Sequence, residues 1–234
     1  MRLNKFLART GIGSRRQCDE YIKNNLIKIN GKVETDFSYQ VSSSDSIKYN
    51  NKILNYVEED YLYILNKPIN YICTSSDQYG RKKVVDLIPL KIRLFTVGRL
   101  DYKSTGIILL TNNGDLANKL MHPKYNVLRR YYVESNKKIS SKEILNIKKG
   151  IKRNKNIFKA KIIFEKKNQK SSTYIWQVVL TEGKNREIRE IFEYLNVEII
   201  KLHRYEYFGL KLGNLKSGKY KKVKINTIKK MLNI

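Results

Sequence analysis

The chain of 234 residues carries only two cysteines, Cys18 and Cys73, far apart in sequence. Two thiols do not make a disulfide framework, so a reduced protein is expected. Its two histidines, His122 and His203, are equally distant from one another, and no cluster has metal-ligand spacing. That pattern predicts a protein without metal. No apolar run approaches the roughly 18 residues of a membrane span. The first ten residues, MRLNKFLART, lack the apolar centre of a signal peptide. These absences predict a cytoplasmic protein with no membrane partner. Acidic residues are scarce too: 48 basic side chains face 21 acidic ones, a net charge of +27.

Enough apolar residues are present, 41%, to build a core. The length allows one large domain, or a small and a medium one. The charge predicts a polyanionic partner, because each phosphate neutralised on binding releases counterions. Lysine, asparagine and isoleucine abound, and the basic excess is mostly lysine (35) and less arginine (13), so part of it is compositional.

The first fifty residues read as a separate module. Leu3, Phe6 and Leu7 recur at helical spacing, and Gly11 or Gly13 can end that helix. Ser14 followed by Gln17 forms a capping-box pattern that opens a second helix, with Cys18, Tyr21 and Ile22 as its apolar stripe. Asn30-Gly31 is a strong hairpin signal. The alternation of Ile27, Ile29 and Val33 around it sends Lys28 and Lys32 away from the apolar face. Arg9, Arg15, Arg16, Lys28 and Lys32 would then make a compact basic face.

The boundaries expected are a first domain over residues 1–52, a polar linker over 53–59 and a second domain over 60–234. In the second, YLYILNKP reads as a strand ended by Pro68, followed by a polar loop from Thr74 to Pro89. Asp115 can cap a helix carrying Leu116, Leu120 and Met121, stopped by Pro123. NVLRRYYVE, YIWQVVL and VEIIKLHRYEYFGL read as strands. NREIREIFEYL places Ile188, Ile191, Phe192 and Leu195 on one helix face. The basic stretch from Lys137 to Lys170 reads as surface. The fold class is α+β: a mixed or antiparallel sheet with helices packed against it.

One acid stands out. Two apolar runs, Leu94–Val97 and Ile107–Leu110, flank a polar loop whose carboxylate, Asp101, lies between Arg99 and Lys103. It suits three roles: a turn aspartate bonded to its own loop, a metal ligand without nearby partners, or a catalytic carboxylate. An aspartate beside an arginine keeps its charge at neutral pH. That suits a nucleophile better than a general acid.

Resemblance goes further than chemistry here. RLNKFLARTGIGSRRQCDEYIKNNLIKINGKV resembles the S-four RNA-binding domain over about residues 2 to 48. The resemblance implies RNA contacts at Arg15, Arg16, Lys28, Asn30 and Lys32. GRLDYKSTGIILLTNNGDLANKLMHP is similar to the aspartate motif of ribosomal-RNA pseudouridine synthases. LNKPINYICTSSDQYGRKKVVDLIP, RRYYV and the stretch from Leu180 to Val223 resemble that family's other blocks, in order. The family resemblance implies a small helical and hairpin RNA-binding domain before a synthase domain on a mixed, mostly antiparallel sheet. It implies Asp101 as the indispensable carboxylate, Arg189 as its buried arginine partner and Tyr131 as the aromatic on the target base. Arg99 is the nearer alternative partner, and the family pattern makes it a loop and RNA-contact residue. Ile188 would wall the pocket, and Arg99, Lys103, Lys184 and Arg186 would contact RNA. No cofactor is implied. The chain departs from the pattern at Glu187 and Glu190, where glutamine and arginine are common.

The implied partner is ribosomal RNA, or a ribosome assembly intermediate, bound by a monomer. The spelling of GDLANKLMHP and GRKKVVDL favours the large-subunit branch. The rival readings are a non-enzymatic RNA-binding protein of ribosome assembly, and a synthase acting on small-subunit or transfer RNA.

Overall fold

A computed structural model describes residues 1–153 and 155–232 and divides the chain into two compact units. The first comprises Met1–Asp60 with Leu90–Arg93; the second comprises Tyr61–Pro89 and the chain from Leu94 onward.

In the first unit, helices α1 (Leu3–Arg9) and α2 (Arg15–Lys23) pack on strands β1 (Ile27–Ile29), β2 (Lys32–Val33), β3 (Ile47–Tyr49) and β4 (Lys52–Ile53). The strands form an antiparallel sheet in the order β2-β1-β3-β4. The Ser14 side chain accepts the amide of Gln17, and the Gln17 side chain accepts the amide of Ser14, so the capping box starts α2 as its sequence implies. Leu3, Leu7, Cys18, Ile22, Ile27, Ile29 and Ile47 form the core.

Asn30 and Gly31 both adopt positive φ, 51° and 86°, the primed turn whose twist suits a two-residue hairpin. That turn pairs Ile29 with Lys32 and Lys28 with Val33. Val33 therefore shares a face with Lys28 and is exposed, while Lys32 falls opposite Ile29 at the sheet edge. The expectation that Val33 joins the apolar face is corrected: alternation restarts across a turn with the register the turn imposes.

In the second unit the chain runs through β5 (Leu62–Lys67), β6 (Phe95–Val97), β7 (Thr105–Thr111), α3 (Gly114–Met121), β8 (Arg129–Ser135), α4 (Ser141–Lys149), β9 (Ile151–Arg153), β10 (Asn156–Phe158), β11 (Lys161–Asn168) and β12 (Thr173–Leu180). It continues through α5 (Glu187–Tyr194), β13 (Ile199–Tyr207), β14 (Leu210–Lys211), β15 (Tyr220–Lys222) and α6 (Ile225–Met231). Among the described residues, nine strands make one sheet in the order β11-β12-β8-β13-β7-β5-β15, with β14 on β13 and β6 on β7. The pairing of β13 with β7 is parallel; the other strand pairings of this sheet are antiparallel. This is the α+β architecture on a mixed sheet.

Strand β7 is apolar on both sides because both its faces are covered. Ile107 and Leu109 join Leu62, Ile64, the α3 residues Leu116, Ala117 and Leu120, and Ile228 of α6. Ile108 and Leu110 join Tyr131, Val133, Trp176 and the α5 residues Ile188, Ile191 and Phe192. Buried Trp176 keeps its ring nitrogen satisfied, donating to Ser135 Oγ at 2.8 Å. The cap of α3 is Asn113, whose side chain accepts the amide of Leu116. Asp115, expected in that role, sits inside the first turn, and Met121 is exposed.

The parallel seam requires a glycine. Gly106 lies opposite Arg204 with φ 109°, and a Cβ there would fall 2.1 Å from the Arg204 carbonyl oxygen. No L side chain fits without moving backbone. Gly106→Ala is expected to cost about 3 kcal/mol from overpacking and strained φ. Urea unfolding measures this, and an unchanged midpoint would show that the seam is compliant.

Candidate active site

The loop between β6 and β7 presents Asp101. Two devices hold it. The Ser104 amide donates to the Asp101 carbonyl at 3.0 Å, closing a turn. Below the turn lies Lys67, fully buried at the end of β5, whose ammonium donates to the carbonyls of Ser104 (2.7 Å), Pro68 (3.1 Å) and Tyr102 (3.3 Å). An ammonium has three N–H donors, and here each finds a backbone acceptor. Burial pulls Lys67 down to about pKa 8, with Cys73 and Asp101 opposing the shift.

The Asp101 side chain pairs with an arginine 88 residues away. Arg189 Nε donates to Asp101 Oδ2 at 2.9 Å, and its Nη2 donates to Ser104 Oγ at 3.3 Å. One guanidinium thus fixes the carboxylate and the end of its loop together. The side chains are 18% exposed for Arg189 and 33% for Asp101, so the arginine is partly buried and the acid remains reachable. Arg99, the neighbouring cation in sequence, is exposed and is not the partner.

Asp101 opens into a cavity of about 430 Å³ with Arg189, Tyr131, Ile188 and Arg204 in its walls. Tyr131 comes from the centre of β8 and is 7% exposed, so it serves the core and the cavity wall at once. Ile188, 4% exposed, sits in the first turn of α5. A wider adjoining groove of about 860 Å³ shares Asp101, Arg99, Lys184 and Arg186 with the cavity and continues past Cys73 to Arg81. Arg186 is exposed at the start of α5 in a left-handed conformation. The Lys184 ammonium already binds Glu182 and the Ile157 carbonyl. Lys103 is exposed on the loop and outside both concavities.

In the first unit, Arg15, Arg16, Asn30 and Lys32 are exposed. Lys28 donates to Asn51, and Asn30 holds its turn by donating to Asp45 and accepting the amide of Ser46. Among the described residues, no group of three or more His, Cys, Asp or Glu side chains could hold a metal ion, and no helix is long and apolar enough to cross a membrane.

A family model for RNA pseudouridylate synthase matches residues 61–194, and an S4 domain model matches residues 1–47. The chain belongs to the RNA pseudouridine synthase family. It is 40% identical to an uncharacterized RNA pseudouridine synthase of Borreliella burgdorferi, over 99% of this chain and 94% of the relative. It is 39% identical to ribosomal large subunit pseudouridine synthase B of Bacillus subtilis, over 98% and 95%. It is 33% identical to a dual-specificity RNA pseudouridine synthase of Escherichia coli, over 94% and 74%. A crystal structure of a pseudouridylate synthase matches with a TM-score of 0.69 at 26% identity, covering 99% of both chains.

Sequence reasoning missed three cations of this pseudouridine synthase. Lys67, Arg129 and Arg204 are 0%, 7% and 2% exposed. Each lies on the inward phase of its strand: Lys67 follows Leu65, Arg129 precedes Tyr131 and Arg204 follows Leu202. A cation in step with an apolar alternation was the available signal. Burial of Glu187 was missed as well. Glu187 is 4% exposed, accepts the amide of Lys184 at 3.0 Å and has its pKa raised by burial. Glu190 instead pairs with Arg153 of β9 at 2.7 Å.

A pH dependence is expected from Lys67. Its folded-state value lies below the ordinary lysine value, so folding disfavours the charged form. That cost is complete below about pH 8 and is relieved as pH rises towards the ordinary lysine range. The neutral amine, however, has two N–H groups for three carbonyls, so the Asp101 loop loosens. Pseudouridine formation is expected to fall along an alkaline limb centred near pH 8, without a parallel loss of resistance to urea. A pH–rate profile with urea midpoints checks this; a rate that stays level far above that pH would exclude the clamp.

Proposed function

We propose that this protein converts a specific uridine of large-subunit ribosomal RNA to pseudouridine, with Asp101 as the essential carboxylate. The observation that carries the reading is the Asp101–Arg189 ion pair, set in a cavity whose walls include Tyr131 and Ile188. The isomerisation breaks the bond between the ribose anomeric carbon and a uracil nitrogen, turns the base and rejoins it through a ring carbon. Nothing is added, so no second substrate or cofactor is needed. The nucleotide must leave its stack to reach a carboxylate set in a cavity. Tyr131 supplies the flat partner for the flipped base, Ile188 an apolar wall, and Arg189 keeps Asp101 aimed. Arg99, Arg186 and Lys103, all exposed, would meet phosphates; Lys184 would first have to leave Glu182.

The large-subunit assignment rests on two supports: the motif spelling GDLANKLMHP and GRKKVVDL, and the name of the Bacillus subtilis relative. The first unit would grip structured RNA through Arg15 and Arg16, exposed at the start of α2, and through Lys28, Asn30 and Lys32 around the hairpin. The net charge of +27 favours that association.

The test compares wild type with Asp101→Asn on unmodified large-subunit ribosomal RNA. Product from the wild type and none from the variant, with RNA binding retained, is the expected result. Product formed only on small-subunit or transfer RNA would overturn the substrate assignment, and an active variant would overturn the role of Asp101. Replacing both Arg15 and Arg16 by alanine should weaken RNA binding and lower its salt slope by about 2, roughly one unit for each phosphate no longer neutralised. Titrations at several salt concentrations measure this, and an unchanged slope would place the RNA elsewhere.

A further inference from the structure

Arg204 of β13 is 2% exposed and lines the same cavity as Asp101. Its Nε donates to the Ile107 carbonyl at 2.8 Å, and Nη1 reaches the Tyr131 hydroxyl at 3.5 Å. Its Nη2 is buried without any hydrogen-bond partner. The guanidinium carbon lies 4.7 Å from the centre of the Tyr207 ring and 5.9 Å from that of Tyr131. Among the described residues, no carboxylate is within ion-pairing distance of it. Two other arginines that line the cavity differ. Arg189 is paired with Asp101, and Arg129 spends one nitrogen on the carbonyls of Val127 and Thr181 and faces the acid Glu187.

A buried cation without a counter-ion is costly, and an unsatisfied N–H adds to that cost. The tie to Ile107 explains one nitrogen. It does not explain why a cation with a spare donor is kept in the wall of the cavity that holds Asp101. Such a group is met by negative charge that arrives or develops in the cavity.

We propose that Arg204 stabilises the negative charge that develops on the uracil ring during the isomerisation. The inference rests on the reading of Asp101 and Tyr131 given above. It does not depend on how Asp101 acts. If the carboxylate attacks the anomeric carbon, the glycosidic electron pair leaves with the ring nitrogen and spreads onto the ring carbonyls. If the carboxylate takes a proton from the sugar, elimination expels the same anion. If it adds to the ring, the electron pair moves onto a ring carbonyl as an enolate. In the first case a ring carbon then displaces the carboxylate from the anomeric carbon; in the second it adds to the unsaturated sugar as the carboxylic acid returns the proton; in the third the glycosidic bond breaks, the ring carbon bonds to the sugar and the carboxylate is expelled from the ring. In each case the base passes through an anion, and the newly joined carbon then loses its proton. Arg204 lies next to Tyr131 across the β8–β13 ladder, and both line the cavity. It acts by its field and not by proton transfer, because a guanidinium stays charged.

The test is a single-turnover rate on unmodified large-subunit ribosomal RNA transcripts, made once with uridine and once with 5-fluorouridine. Fluorine stabilises the ring anion and lessens the need for a cation. Arg204→Leu is expected to slow uridine turnover by about 10²–10³-fold, the scale for removing one preorganised donor. RNA affinity should be unchanged, and the deficit in consuming 5-fluorouridine should be clearly smaller. Arg204→Lys, which keeps the charge, should recover part of the rate. If Arg204→Leu fails to fold by circular dichroism, the same two-base comparison is read on Arg204→Lys. An equal deficit on both bases, a wild-type rate, or a drop in RNA affinity equal to the drop in rate would overturn the proposal. No product from the wild type would instead overturn the reading on which it rests.

Discussion

The approach of β13 to β7 at Gly106 is the constraint on which the rest of the second unit depends. On one side of this seam lie β11, β12, β8 and β13; on the other lie β7, β5 and β15. The two halves meet in a short parallel pairing, Thr105 with His203 and Gly106 with Arg204. Only a residue without Cβ lets the Arg204 carbonyl come so near. Three groups of the cavity are tied to that seam. Asp101 lies in the turn just before β7, Tyr131 stands beside Arg204 on the ladder, and Arg204 binds the Ile107 carbonyl across the seam. A shift of the two halves would move carboxylate and aromatic apart.

Charge is distributed in two ways in this molecule. Most of its 48 basic side chains are available for a polyanion, and those on the surface need no partner in the folded chain. A few are buried around Asp101 and each has a specific task. Lys67 gathers the three carbonyls of a tight loop. Arg189 aims the carboxylate. Arg204 crosses the seam. Low dielectric around these groups strengthens their hydrogen bonds and makes any unpaired one expensive. The Asp101 loop can therefore be held rigid while Asp101 itself stays a third exposed.

Local elements are legible wherever one short-range rule decides the outcome. Ser14 and Gln17 specify the start of α2 because the capping box lies wholly within four residues. Asn30-Gly31 specifies a two-residue hairpin because both positions must adopt positive φ. Errors arise one step beyond such rules. Alternation alone places Val33 in the core, but the register of the turn carries it to the other face. Composition allows Asp115 as a cap, but Asn113 two residues earlier is the side chain that reaches the helix amide. The buried cations Lys67, Arg129 and Arg204 escape a reading of the chain because a charge in a strand reads as solvent-facing until the opposite face is known to be covered.

The sequence by itself determined the two-part layout, the α+β class, the family and the loop on which Asp101 stands. Those follow from local periodicity, turn chemistry and motif spelling, which are properties of neighbouring residues. The family resemblance named Arg189 as the partner of that carboxylate and left Arg99 as the nearer alternative; the tertiary structure shows the contact itself. Arg99 lies two residues away and is exposed; Arg189 lies 88 residues away and binds it. Likewise, nothing local makes Arg204 a neighbour of Tyr131, since they are separated by 73 residues. Ion pairing and burial depend on distance in space, and that distance is set by how a nine-stranded sheet is ordered.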